Sequence, residues 1–111
     1  MKRLRFINQK EIIIIVSNFY FNRKSHKQDI IKFSKAIGSN TRFEILKLLK
    51  ETKEEYSITS LANKLKQTEA NISSQIKTLE KVGLITTTYK PGNHGVSKMV
   101  SCNFDKLVIE F

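Results

Sequence analysis

The sequence predicts a small α+β domain, because helical spacing in its middle part gives way to a strand-like period near its end. Behind Thr68, a favourable N-cap residue, one helical face carries apolar side chains at i, i+4 and i+7: Ile72, Ile76 and Leu79. Gly83 ends this helix, and a period of two follows on both sides of the turn-forming residues 91–95. Only Gln67 and Thr68 separate the helix from the preceding one. This order predicts a winged helix–turn–helix with three to four helices and a β-hairpin wing.

Two further helices are predicted before this pair. Apolar side chains recur at helical spacing in residues 27–37, and Gly38 ends that helix. Ser39 or Asn40 is expected to cap a second helix, residues 41–53, whose apolar arc covers more than half of its circumference. We expect this second helix to lie at the centre of the core.

The helix–turn–helix and the wing fill the next part of the chain. Residues 56–58 fit a very short strand, and Thr59 is expected to cap a third helix that ends at Lys66. The fourth helix, residues 69–82, is the candidate recognition helix. The wing is expected to span residues 84–102.

The two ends of the chain are less distinctive. Residues 1–25 are expected to form a basic and apolar N-terminal arm, set apart from the domain at residues 26–111. The β-branched run at residues 12–16 fits either a buried strand or a short buried helix. A polar, basic connector is expected at residues 22–27, and the alternating residues 107–111 fit a third strand or a subunit contact.

Charge points to a polyanionic partner. The 111 residues carry a formal net charge of +10, with a pI of about 9.9. Residues 1–35 hold nine Lys/Arg against two acids, whereas the remaining chain holds eleven against eight. We therefore expect non-specific attraction to phosphate to depend mainly on the N-terminal part.

Composition argues against several other classes. Cys102 is the only cysteine, which excludes an internal disulfide and is typical of a cytoplasmic protein. It fits a small buried hydrophobe or, alternatively, a redox-sensing thiol. No run approaches the roughly 18–20 apolar residues of a membrane span. No phosphate-binding glycine loop, paired-carboxylate site or catalytic-triad spacing is visible, so neither an enzyme, a cofactor nor an effector site is predicted.

The predicted recognition helix presents small, polar or cationic side chains opposite its apolar stripe: Ala70, Asn71, Ser74, Lys77, Thr78 and Lys81. Such a face fits the DNA major groove. Asn71 and Ser74 are candidates for hydrogen bonds to base edges, and the two lysines for contacts to phosphate. Thr68, at the start of the helix, joins these candidate DNA-binding residues. The alternative for all of them is a solvated helix face.

Basic residues outside this helix are candidates for contacts to the DNA backbone. Lys90, His94 and Lys98 lie on or beside the predicted wing, and simple solubility is their alternative role. Arg42, at the start of the second helix, fits either a phosphate contact or a local ion pair with Glu44 or another acid.

Three segments resemble the ArsR-type winged-helix transcriptional regulators, particularly their compact archaeal versions: residues 36–46 (AIGSNTRFEIL), 61–65 (LANKL) and 72–85 (ISSQIKTLEKVGLI). The resemblance implies a dimeric repressor that inserts the second helix of its helix–turn–helix into the major groove and lays its wing along the backbone. It also implies base-facing or phosphate-facing positions for five residues: Ala70, Asn71, Ser73, Ser74 and Lys77.

The sequence departs from this family at several points. The region that carries a Cys-x-Cys motif in metal-sensing members has no thiol here, and the only histidines are His26 and His94, so no metal site is expected. Lys66 stands where the family has glycine; a left-handed backbone there would cost about 1 kcal/mol relative to glycine. Gln67 replaces an apolar residue, and Glu69 stands where glutamine is frequent.

Together these observations predict a homodimeric regulator that binds double-stranded DNA. We expect its subunit interface in the first helix, the arm at residues 12–21 and the strand at 107–111, since an unpaired apolar arm and strand would promote aggregation of a monomer. Two alternatives remain: a non-specific architectural DNA-binding protein, and a winged helix used as a protein-interaction module.

Overall fold

The computed structural model describes residues 4–7, 11–15, 23–52, 54–93, 95–102, 104 and 106–110. The elements follow in this order: β1 (Leu4–Ile7), β2 (Glu11–Ile15), α1 (Arg23–Ile37), α2 (Asn40–Thr52), β3 (Tyr56–Ser57), α3 (Ile58–Leu65), α4 (Glu69–Lys81), β4 (Thr86–Gly92), β5 (Gly95–Ser101) and β6 (Lys106–Glu110). The chain divides into two compact units, Met1–Lys35 with Asn103–Phe111, and Ala36–Cys102. The predicted domain boundary at residues 25 and 26 stays a prediction.

The unit at Ala36–Cys102 is a winged helix–turn–helix, which confirms the predicted fold class. Helices α2, α3 and α4 are followed by a hairpin, and the three-stranded sheet has the order β3-β5-β4. β5 lies in the centre, antiparallel to both neighbours. The outer strand β4 tolerates Pro91 because an edge strand has one side that makes no ladder hydrogen bonds.

The core of this unit is built from one apolar stripe of each helix and the inner face of the wing. Its largest fully buried side chains are Ile45, Leu49, Leu61, Ile72, Ile76, Leu79, Leu84, Ile85 and Val100. Burying an aliphatic side chain of this size contributes about 1.5–3 kcal/mol. The stripe predicted for α4 is therefore confirmed, and it leaves the opposite face of α4 outside the core.

Both ends of α4 are closed as the sequence predicts. The Thr68 hydroxyl oxygen accepts a hydrogen bond from the backbone N–H of Asn71 at 3.0 Å. At the other end Gly83 takes a φ of +86°, its N–H donates to the carbonyl of Glu80, and the N–H of Leu84 donates to that of Leu79. This paired closure is a Schellman motif, which needs a left-handed residue at the position of Gly83.

The turn between α3 and α4 also ends its helix with a left-handed residue, here an unusual one. Lys66 has φ 57° and ψ 44°, and the N–H of Gln67 donates to the carbonyl of Ala62 at 3.0 Å. Lys66 is thus in the left-handed region, where a lysine is expected to be less stable than a glycine. Among the described residues, it is the one non-glycine with a positive φ.

Several predicted boundaries are wrong by a few residues. α1 begins at Arg23, so most of the expected connector at 22–27 is helical. Ser57 rather than Thr59 caps α3: Ser57 has the extended backbone of an N-cap and accepts from the N–H of Ser60 at 3.0 Å, while Thr59 lies inside the helix. The ladder of the wing reaches Gly92↔Gly95, so Pro91, Gly92 and Gly95 belong to the strands rather than to the turn.

The other unit contains a second sheet, of order β1-β2-β6. β2 is antiparallel to β1 and parallel to β6, with Ile12 opposite Leu107. The strand interpretation of residues 12–16 is therefore confirmed over Glu11–Ile15, and residues 107–110 also form a strand, though in this sheet rather than beside the wing hairpin. The arm and this strand pair with each other within one chain, so they do not leave each other unpaired in a monomer, and the subunit interface expected there stays a prediction. Residues 1–3, 8–10 and 16–22 of the arm lie outside the described residues.

In the part of the chain that the structure describes, no helix is both long and apolar enough to cross a membrane.

Replacing Lys66 with glycine should stabilise the protein. Glycine accepts a positive φ without the steric penalty of a Cβ, so Lys66→Gly is expected to raise the free energy of unfolding by about 1 kcal/mol in chemical denaturation. Lys64→Gly is the matched control, because glycine inside α3 should lower stability by about 0.5–1 kcal/mol. A Lys66→Gly variant no more stable than wild type would contradict this cost.

Candidate nucleic-acid interface

The face of α4 opposite its buried stripe is available to a ligand. Thr68, Ala70, Ser74 and Lys77 are exposed, as are Thr78 and Lys81, whereas Asn71 and Ser73 are half-buried. The structure therefore brings the predicted residues of this helix together on one surface of small and polar side chains. Glu69 lies in the first turn, where a carboxylate interacts favourably with the helix dipole but repels a phosphate.

A row of hydrogen-bonded side chains runs along the start of this surface. The Asn71 Nδ2 donates to Gln67 Oε1 at 2.7 Å, and the Gln75 Nε2 donates to Asn71 Oδ1 at 3.0 Å. Gln67 and Gln75 are not among the residues that the sequence predicts for the site. The signal was present, because three amide side chains follow one another at intervals of four residues.

Arg42 anchors this row, and the phosphate contact or ion pair predicted for it stays a prediction. Its Nη1 donates to Gln75 Oε1 at 2.6 Å, and its Nε donates to the carbonyl oxygen of Ala36 at 2.8 Å. The guanidinium thus links the end of α1 to the middle of α4 and is half-buried. These contacts tie the orientation of Gln75 to α1 and α2.

On the wing, Lys90 is engaged by an acidic residue that is not among the predicted site residues. Its ammonium forms an ion pair with Glu55, and Thr88 Oγ1 donates to the same carboxylate at 3.3 Å. The hydrogen bond from Lys90 lowers the pKa of Glu55 below its usual value, and the charge of Lys90 and the bond from Thr88 act in the same direction. Glu55 is therefore ionised at neutral pH and holds Lys90 against the outer face of the sheet.

The predicted wing lysines do not share a face of the hairpin. Lys90 is opposite Ser97 and Lys98 is opposite Tyr89, and neighbouring positions of a strand point to opposite sides. Lys98 is half-buried and lines an open cleft of about 570 Å³ with Ala70 and Ser73. His94 lies outside the described residues, so its predicted contact is not placed.

A hydrogen bond between the wing and α4 fixes the two parts of the surface relative to each other. Thr87 Oγ1 donates to the carboxylate of Glu80, near the end of α4. Thr87 is opposite Val100, whose side chain is fully buried in the core. The base of the hairpin is therefore tied to α4 by packing and by a polar contact.

Within the described ranges, no group of three or more His, Cys, Asp and Glu side chains is placed to hold a metal ion. Cys102 is half-buried directly after β5 and takes no part in a disulfide among these residues.

Comparison with known families gives one match in the same region. The model of the arsR family of bacterial regulatory proteins matches residues 39–87, from the N-cap of α2 into β4. No curated protein matches the sequence.

Several solved structures share the fold. NolR from Sinorhizobium fredii is 21% identical with a TM-score of 0.64, over 80% of this chain and 83% of that one. Mb0332 from Mycobacterium bovis, a homodimeric winged helix–turn–helix DNA-binding domain, is 16% identical with a TM-score of 0.64, over 78% and 75%. A transcriptional regulator homologue from Pyrococcus horikoshii is 22% identical with a TM-score of 0.57, over 71% and 75%. The segment from α2 into β4 thus matches the arsR family, as the sequence resemblance predicts, and the solved structures share the winged helix–turn–helix fold.

Proposed function

We propose that the protein is a transcriptional repressor that binds a specific sequence of double-stranded DNA as a homodimer. One observation carries this proposal: α4 buries its entire apolar stripe and leaves a face of small and polar side chains exposed beside a wing. The ArsR-type match supports it, because that family comprises regulatory proteins rather than enzymes.

In the proposed complex α4 lies in the major groove. Its 13 residues span about 20 Å, and the groove is about 12 Å wide, enough to admit a helix. Asn71 and Ser74 contact base edges, while Lys77 contacts phosphate. The wing lies along the backbone, with Lys90, His94 and Lys98 as its candidate contacts.

Two copies of the chain place two recognition helices on one face of the duplex. The homodimeric state of the Mycobacterium bovis domain supports this arrangement. In helix–turn–helix dimers the half-sites are about 34–36 Å apart, one turn of DNA. We therefore expect the operator to be an inverted repeat with that spacing.

A second candidate function is non-specific architectural DNA binding, favoured by the concentration of charge in residues 1–35. Selection from a random duplex library at about 0.15 M salt, with competitor DNA, separates the two. Enrichment of an inverted repeat supports the dimeric regulator. Retained binding without an enriched sequence would indicate architectural DNA binding through phosphate contacts alone.

Ser74→Ala should reduce binding to the selected duplex more than binding to random DNA. Loss of a base-edge contact costs about 1–3 kcal/mol for a bidentate pair, so we expect a loss of about fivefold or more for the selected sequence. Ser34→Ala, the same substitution at an exposed position of α1, is the control. Fluorescence anisotropy measures both. Equal affinities of the two variants for the selected duplex would exclude Ser74 as a base contact.

Glu55→Gln should strengthen binding to DNA of any sequence. The substitution weakens the ion pair that holds Lys90, so this lysine gains freedom to contact phosphate. One additional phosphate contact steepens the slope of log K against log salt by about 0.9.

Glu54→Gln is the matched control for Glu55→Gln, because it removes the same charge from an exposed neighbour. It should change affinity through net charge only. If both variants show the same affinity and the same salt slope, release of Lys90 plays no part in binding.

A further inference from the structure

The row of side chains along the start of α4 has a defined hydrogen-bond direction. It runs from the guanidinium of Arg42 through the amides of Gln75 and Asn71 to that of Gln67, with donor–acceptor distances of 2.6, 3.0 and 2.7 Å. Arg42 is itself held by the carbonyl oxygen of Ala36. We call these four residues the amide relay.

Arg42 sets the direction of the amide relay because its guanidinium can only donate. Gln75 must therefore turn its oxygen towards Arg42, which turns its nitrogen towards Asn71. Asn71 must then offer its oxygen to Gln75 and its nitrogen to Gln67. The reverse arrangement would bring two N–H groups together at Arg42, so every amide in the relay has a single favourable orientation.

The last member of the amide relay leaves a donor at the exposed end. Gln67 uses its oxygen to accept from Asn71, and its side chain is exposed directly before the N-cap of α4. Its amide nitrogen, with two N–H groups, is the outermost polar group of the relay. A neighbouring ligand therefore meets a donor there.

We propose that Arg42 is a positioning residue that, through Gln75, fixes the amides of Asn71 and Gln67 as donors towards one base pair. This inference rests on the proposed function, since it concerns the sequence that α4 selects. A donor selects an acceptor edge, and in the major groove guanine offers two acceptors, N7 and O6. The operator should thus carry guanine at the position next to Gln67 and Asn71.

The amide relay also lowers the cost of binding. Long polar side chains lose rotamer freedom when they contact a ligand, at about 0.5–1.5 kcal/mol for each immobilised side chain. Hydrogen bonds in the free protein hold Asn71 and Gln67 in one orientation, so part of this ordering precedes DNA binding. Arg42 thereby influences selectivity without touching a base.

Gln75→Glu tests the direction of the amide relay. A carboxylate still accepts from Arg42 but cannot donate to Asn71, so Asn71 must turn its nitrogen towards residue 75. Gln67 then turns as well and presents its oxygen at the exposed end. In duplex selection, preference at this single position should shift from guanine to a base with an amino group, adenine or cytosine, by about tenfold or more in relative affinity.

Two further variants separate this effect from charge and folding. Ser34→Glu adds the same charge to an exposed position of α1, outside the amide relay and the exposed face of α4, and should weaken binding to all sequences without changing the preferred base. Gln75→Leu interrupts the relay and should relax discrimination at the one position by about fivefold, with other positions retained. Thermal unfolding verifies that each variant folds. If Gln75→Glu does not fold, the base preference of Gln75→Leu tests the inference instead.

The outcomes distinguish this inference from the proposed function. If wild type enriches no sequence, the proposed function fails and the inference fails with it. If wild type enriches an operator and a folded Gln75 variant keeps the same base preference at every position, the inference alone is overturned. A change of preference at one position, with the others intact, supports it.

Discussion

The structure depends most on the burial of one side of α4. Ile72, Ile76 and Leu79 are fully inaccessible to solvent, and α4 contacts both α2 and α3. This burial fixes the rotation of the helix about its axis, because each apolar side chain that turned outwards would lose about 1.5–3 kcal/mol. Burial of the apolar side chains therefore determines which face of α4 is exposed, and small polar residues occupy that face.

Local contacts then position this helix and the wing along the chain. Thr68 and Gly83 set where α4 begins and ends, while the left-handed Lys66 turns the chain sharply enough to bring α3 and α4 together. Glu80 ties α4 to Thr87 at the base of the wing. The geometry of the surface thus follows from a few residues next to the exposed face rather than on it.

The features that the sequence predicts correctly are those determined by neighbours in the chain. The stripe of α4, its N-cap and the hairpin depend on spacing and on single residue types. The partners of Lys90 and Arg42 are 35 and 33 residues away, and no periodicity encodes such contacts. The paired strands β2 and β6 are even farther apart in the chain. The sequence therefore shows two apolar segments but not that they pair with each other. The N-cap at Ser57 was missed because Thr59 is also a favourable cap residue.

Mapping the surface that DNA covers in solution tests most directly whether α4 is the recognition helix. Backbone amide resonances of the ¹⁵N-labelled protein, recorded before and after addition of a bound duplex, report contacts residue by residue. We expect the largest changes at residues 68–78 and on the wing at residues 88–98. Changes confined to residues 23–35 and 106–110, with the amides of α4 unaffected, would contradict the assignment of α4 as the recognition helix.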